Sequence, residues 1–215
     1  MLRSTERLLD EGYGARVFRD KDHASVFGGT PSRRHGLANK AMAKGELVRI
    51  KRGLYCIGER YRTASISKFY VANRIQPLSV VSMMSSLSFH GWIPERVQGV
   101  QSASIRPQSI RFDTPFGRMS FVPIPVVHGS WMRAVSRFAP NGQPFLVADP
   151  LRALMDSVYR SRTQWQGLPY LIDGLRIDPD ELDGLDAEDF AVVQSIYRSK
   201  RVRQFLEKLR DALEV

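Results

Sequence analysis

Between residues 32 and 52 the chain carries, in two short runs, side chains suited to binding phosphates and base edges. Ser32, Arg33, His35, Asn39, Lys40 and Lys44 stand within TPSRRHGLANKAMAKG, residues 30–45, and Arg49, Lys51 and Arg52 within GELVRIKRGLYCI, residues 45–57. Lysine and arginine neutralise the DNA backbone, while a planar guanidinium or a carboxamide can pair twice with one base edge in the major groove. The set predicts binding of double-stranded DNA rather than covalent chemistry.

The covalent alternatives lack their reacting groups. His128-Gly129-Ser130 is similar to the glycine-serine start of a nucleotidyltransferase, but that chemistry needs paired acids shortly downstream to hold magnesium, and residues 131–148 contain no acid. A nuclease site would need several charged residues on adjoining strands, and the strand-like region offers Asp113 alone. No Gly-x-Ser-x-Gly occurs. One cysteine, Cys56, and four histidines without a Cys-x-x-Cys or His-x-x-x-His spacing argue against a disulfide framework and a structural zinc site. Neither an enzyme nor a cofactor is expected. His90 reads as a helix cap before Gly91, and Asp156 as a polar anchor for a neighbouring loop.

The DNA-facing residues need elements to hold them. Thr30 and Pro31 begin a helix, because the threonine hydroxyl can accept an orphan amide and proline's fixed φ suits the first helical position; Gly45 ends it. At about 100° per residue, Leu37, Ala38, Ala41 and Met42 form an apolar arc and the polar residues the other, with Gly36 and Ala43 small enough to admit a close surface. The next two runs of strand-forming residues flank Lys51-Arg52-Gly53, a hairpin in which Gly53 takes the positive φ. Upstream, RSTERLLDEG and DKDHASVFGG read as helices, the second opened by Asp20 as N-cap and closed by Gly28 and Gly29. This order is that of a winged helix-turn-helix over residues 1–62, with the third helix in the groove and Lys51 and Arg52 at a basic wing tip.

Charge follows the same division. The net charge of +10 distributes as +7 over residues 1–62, +5 over 63–150 and −2 over 151–215. The basic excess lies where phosphates are expected, although a basic surface can also serve solubility alone. The N-terminal stretch lacks a signal-peptide core and no apolar run approaches the roughly 20 residues of a membrane span, so a cytoplasmic protein with no membrane partner is expected.

Residues 63–215 predict a second, α+β domain with a small antiparallel sheet. Residues 97–127 alternate like antiparallel strands, with TPFG as a hairpin turn. SVVSMMSSLSFHGW suggests a helix ending at Gly91 whose serines face solvent or bond backbone, and Asp149-Pro150 starts a helix with Leu151, Leu154, Met155 and Val158 as its apolar stripe. Residues 171–190 read as a pair of short helical turns and 191–215 as a final helical region packed across the sheet.

Three blocks of the chain resemble the AbiEi-type antitoxins, transcriptional regulators of bacterial type IV toxin–antitoxin systems. A G-x-L-x-R-I-x-R-G-x-Y wing is matched by Gly45, Leu47, Arg49, Ile50, Arg52, Gly53 and Tyr55; a Ser-x-L-x-x-H-G block by Ser85, Leu87, His90 and Gly91; and a third by Ala148, Pro150, Arg152, Ala153, Leu154 and Asp156. The resemblance implies a sequence-specific repressor that binds its own promoter at repeated sites and opposes a nucleotidyltransferase toxin. A protein-interaction module whose winged helix binds no DNA, and a regulator with no toxin partner, remain as alternatives.

Overall fold

The punctuating residues of the N-terminal third end its elements close to where the sequence places them. The computed structural model describes residues 1–215. It begins with α1 (Arg3–Asp10), β1 (Val17–Arg19), α2 (Asp20–Phe27) and α3 (Pro31–Ala43), followed by the hairpin β2 (Leu47–Lys51) and β3 (Leu54–Ile57). The Thr30 hydroxyl accepts the Arg33 amide at 3.3 Å, and Gly53 turns the hairpin at φ +73°. Asp20 differs from expectation: Arg19 is the N-cap and Asp20 the first helical residue, because Arg19 ends β1 in an already extended conformation. The Asp22 carboxylate accepts the Arg19 amide at 2.7 Å. The three strands form an antiparallel sheet in the order β1-β3-β2. One of its faces meets the helices through Leu8, Phe18, Val26, Ala38, Ala41, Leu47 and Ile57.

The remaining chain adds α4 (Lys68–Ile75), β4 (Val80–Val81), α5 (Met83–Phe89), β5 (Val100–Ser104), β6 (Ile110–Thr114), β7 (Gly117–Pro123), β8 (Val135–Phe138) and β9 (Phe145–Ala148), then α6 (Pro150–Ser161), α7 (Pro179–Asp183), α8 (Ala187–Gln194) and α9 (Lys200–Ala212). The protein is mixed α+β, but its second sheet is neither small nor wholly antiparallel. Six strands run in the order β6-β7-β5-β4-β9-β8, with β5–β7 and β4–β9 parallel. The TPFG turn does join β6 and β7. The strand β5, by contrast, pairs with β4 and β7 rather than with its sequence neighbour β6. Three strands of this sheet lie outside the expected 97–127, β4, β8 and β9; β4 and β9, VV and FLVA, are short continuous apolar runs that carry no alternation to read. No helix is long and apolar enough to cross a membrane.

Alternation along these strands sends side chains to two different cores. Val80, Ala103 and Ala148 join α5, α6, α8 and α9 in one cluster with Leu154, Val193, Phe205 and Leu209. Val81, Val100, Met119, Phe121, Phe145 and Val147 face the other way, into a cluster that also contains Tyr70, Val71 and Ile75 of α4 and Val17, Ile50, Leu54 and Cys56 of the small sheet. The two sheets thus share a core that crosses the boundary at residue 63.

Under α6 lies a buried polar group. Asp156 accepts the Ser82 hydroxyl at 2.6 Å and the Tyr197 hydroxyl at 2.7 Å, while Arg152 Nε stands 4.0 Å from it, both side chains being fully buried. Arg152 Nη1 donates to the carbonyls of Trp131 and Arg133 at 2.7 and 2.5 Å. Burial pushes the Asp156 carboxyl upward against the pull of Arg152 and the two hydroxyls. Asp156 is therefore an anchor, as expected, but for β4 and the α8–α9 connection together. That connection also divides the final helical region in two: Tyr197 bridges to Val126, and the Ser199 hydroxyl caps α9 by accepting the Val202 amide at 3.5 Å. Of the two roles expected for the serines of α5, bonding to backbone is the one seen: Ser86 donates to the Ala148 carbonyl at 2.5 Å, Ser85 accepts the Gln101 amide at 2.9 Å, and the half-exposed Ser88 donates to the Glu95 carbonyl at 2.7 Å. Replacing Asp156 by alanine removes the carboxylate beside the buried Arg152 guanidinium and the acceptor of the Ser82 and Tyr197 hydroxyls, and should cost about 3–5 kcal/mol in urea denaturation, with Asp156→Asn milder because it keeps an acceptor.

Candidate nucleic-acid interface

The backbone of α3 is held from below by its small residues. Ala38 and Ala41 are buried against α1, α2 and Leu47, with Leu37 and Met42 half-buried at the margins. The opposite side of the helix is open: Ser32, Arg33, His35, Gly36, Asn39, Lys40, Ala43 and Lys44 are all exposed. The structure therefore brings six of the nine expected DNA-contacting residues onto one helix surface. That helix carries no carboxylate, and none of its cations is in an ion pair. Around Gly36 a Cβ would meet nothing within 4 Å, so the middle of this face is a shallow place on the helix surface.

Arg34 was not among the expected contacts and has a different task. Half-buried, it donates through Nη1 to the carbonyls of Gly28 and Gly29, tying the start of α3 to the turn that ends α2. No sequence signal separates it from its exposed neighbour Arg33; only the direction of the side chain does.

The hairpin divides its three cations. Arg49 lies opposite Tyr55 and is exposed on β2, an edge strand, and Arg52 is exposed in the turn. Lys51 corrects the sequence reading, which places it at a DNA-contacting wing tip. The register runs Arg49 to Tyr55 and then Lys51 to Leu54, so Ile50 is the extra residue of a bulge. The bulge breaks the alternation that would have kept Lys51 on the side of Leu47 and Arg49, and delivers it to the side of Leu54, where the shared core lies. There Lys51 Nζ donates to the Ile75 carbonyl at 3.2 Å, at the end of α4, and stands 5.0 Å over the Phe112 ring of β6. Burial, then the positive charges of Arg19 and Arg106, lower its pKa. Other cations make similar ties. Arg62 lies 5.1 Å over Phe116 of the β6–β7 turn and donates to the Ile57 carbonyl at 2.8 Å, and Arg74 of α4 reaches the Val17 carbonyl at 3.5 Å. Part of the basic excess near the boundary thus joins the two sheets.

The arrangement can do what an electrostatic and hydrogen-bonding surface does. Phosphates can be neutralised along the α3 face and the β2 edge, and base edges can be met by Arg33, Asn39 or Lys40 if the helix enters a groove. No protein-family model matches the chain, and no curated protein matches it. Lys51→Ala should lower stability by about 1–2 kcal/mol through loss of a charged hydrogen bond and a cation–π contact, measured by denaturant midpoint, and leave the salt dependence of DNA binding unchanged. Arg52→Ala should do the reverse, reducing the salt slope by about 1 with little change in stability.

Proposed function

We propose that residues 1–62 form a winged helix-turn-helix that binds double-stranded DNA through α3, and that the protein is a sequence-specific transcriptional repressor of its own promoter. Its helix–strand–helix–helix–hairpin order and its β1-β3-β2 sheet support that reading. The observation that carries it is the α3 face: six exposed polar or cationic side chains around an open glycine, without an acid. A face selected only for solubility would tolerate carboxylates, and a helix that buried itself in a partner protein would present apolar anchors. In this reading Arg33, Asn39 and Lys40 address bases, while Ser32, His35, Lys44, Arg49 and Arg52 address the backbone.

We further infer an antitoxin role, opposing a nucleotidyltransferase toxin. It rests on the resemblance of the three sequence blocks, two of which pack directly on one another. His90 Nε2 lies 3.1 Å from the Ala148 carbonyl, and Ser82, just ahead of the second block, bonds Asp156 of the third. These motif residues hold α5, β9 and α6 together; the surface that would oppose a toxin is built on that frame.

Gel-shift titrations of the full chain on its own promoter and on random DNA, at several salt concentrations, test the first proposal. Arg33→Ala, Asn39→Ala and Lys40→Ala should narrow the gap between the two DNAs by about 1–3 kcal/mol for any residue that makes a bidentate base contact. Equal losses on both DNAs would remove base readout, and absence of binding at low salt would remove the DNA-binding reading altogether. Gly36→Ala offers a sharper test: in a free helix it should raise stability by up to about 1 kcal/mol, yet it should weaken promoter binding if the helix backbone approaches the groove closely. For the antitoxin role, growth rescue during induction of the cognate toxin is compared between wild type and full-length Lys40→Ala, Arg52→Ala. Rescue by both would separate protection from DNA reading; rescue by wild type alone, with the variant folded, would mean that protection works through repression.

A further inference from the structure

The six-stranded sheet is not fully covered by its helices. On the side of α5 and α6, the outer strands β6 and β7 extend beyond them, leaving a cavity of about 630 Å³ between those strands, the last turn of α6 and the first turn of α9. Pockets for small ligands span about 300–1,000 Å³. Four arginines line this one: Arg111 from β6, Arg160 and Arg162 from the end of α6, and Arg201 from α9. No aspartate or glutamate lines it, and none of the four arginines is in an ion pair. So many like charges around one concavity repel one another at a cost that a counter-ion of multiple negative charge would relieve.

Several details mark the site as more than a patch of surface charge. Arg201 is held in place by donating from Nη2 to the Tyr159 carbonyl at 3.2 Å, and its buried Nε has no partner. Arg162 ends α6 with a left-handed backbone, φ +58°, a conformation that glycine or asparagine adopts more readily than arginine. Ser120, the register partner of Arg111, and Ser199, the cap of α9, add hydroxyls to the same walls. The positive end of α9, a helix of 13 residues, adds to the field of the guanidinium groups. The remaining lining includes Ser109, Val122, Pro123 and Tyr159; Ile110 and Phe121 border the cavity, but alternation sends their side chains to the opposite face of the sheet.

We propose that this cavity binds the phosphate groups of a nucleotide-sized small molecule, its arginines clasping the phosphates and Val122 and Tyr159 lying beside the remainder. A duplex is a poorer fit, because its phosphates lie along a convex surface and would engage the rim rather than the walls. The site is distinct from the α3 face and does not depend on the DNA-binding reading.

Calorimetric titration of the full chain with ATP, inorganic pyrophosphate and adenosine tests it. Expected are saturable binding of ATP at one site per chain, competition by pyrophosphate and no binding of adenosine. Arg111→Ala with Arg160→Ala, both exposed positions, should weaken ATP binding about tenfold or more with an unchanged melting temperature, since each removes a charge-assisted contact. Arg33→Ala with Lys40→Ala should leave ATP binding as it is. Absence of saturable ATP binding, its persistence in the Arg111/Arg160 variant, or its loss in the Arg33/Lys40 variant would each overturn the proposal. So would an Arg111/Arg160 variant that weakens duplex DNA while ATP never saturates, an outcome that assigns these arginines to the DNA path.

Discussion

The core shared by the two sheets is the constraint on which the rest depends. Ile50, Leu54 and Cys56 of the hairpin close over Val100, Met119 and Phe121 of the larger sheet, with Tyr70, Val71 and Ile75 of α4 beside them. A three-stranded sheet backed by three short helices buries only the seven-residue cluster on its other side, a small core for a unit of some sixty residues, and such units are marginal alone. The second face of the small sheet gains its apolar partners from the C-terminal part. The two halves therefore lend each other stability, and the α3 face is held at a defined orientation to everything that follows.

That constraint decides what the hairpin residues meet. In the unbroken register Ile50 would already lie opposite Leu54 on the shared-core side; the bulge at Ile50 turns the next residue to that side as well and sets it opposite Leu54. Lys51 is carried inward with it. Half-buried there, its amine gives up part of its hydration and gains from a partner. The Ile75 carbonyl, left open at the end of α4, accepts it, and the Phe112 ring supplies a second, weaker attraction. The positive charge at the hairpin thus has two explanations, one for each residue: Lys51 joins two sheets, and Arg52 remains in solvent.

Legibility in the sequence followed how local each determinant is. The limits of α3, the Gly53 turn and the TPFG hairpin depend on residues within a few positions, and they were readable from Thr30-Pro31, Gly45 and the turn residues themselves. The exposed face of α3 was readable from its period. Strand order was not, since β5 pairs in parallel with β7 and β4 with β9 across long stretches of chain. Nor was the fate of Lys51, which turns on a single-residue bulge, or that of Arg34, whose neighbour Arg33 has the same side chain and the opposite exposure. The cavity arginines come from three elements far apart in sequence, so no window of the chain displays them together.

The edge strand β6 is where these separate features meet. Arg111 and Phe112 are consecutive, so their side chains leave opposite faces of the strand: Arg111 lines the arginine cavity, and Phe112 lies beneath Lys51 of the hairpin. One strand's thickness separates a charged pocket of the C-terminal part from the residue that fixes the hairpin to it. Close packing transmits a displacement of β6 to both sides, because a well-filled core has little slack to absorb it. Proximity alone does not amount to control. A molecule in the cavity would alter the hairpin only if it bound one position of β6 more tightly than another, and the size of its effect could not exceed that difference. The shared core makes such a difference costly to sustain, since moving β6 also moves Met119 and Phe121 through its pairing with β7. The same packing that orients α3 therefore sets the stiffness against which any signal from the C-terminal part would have to work.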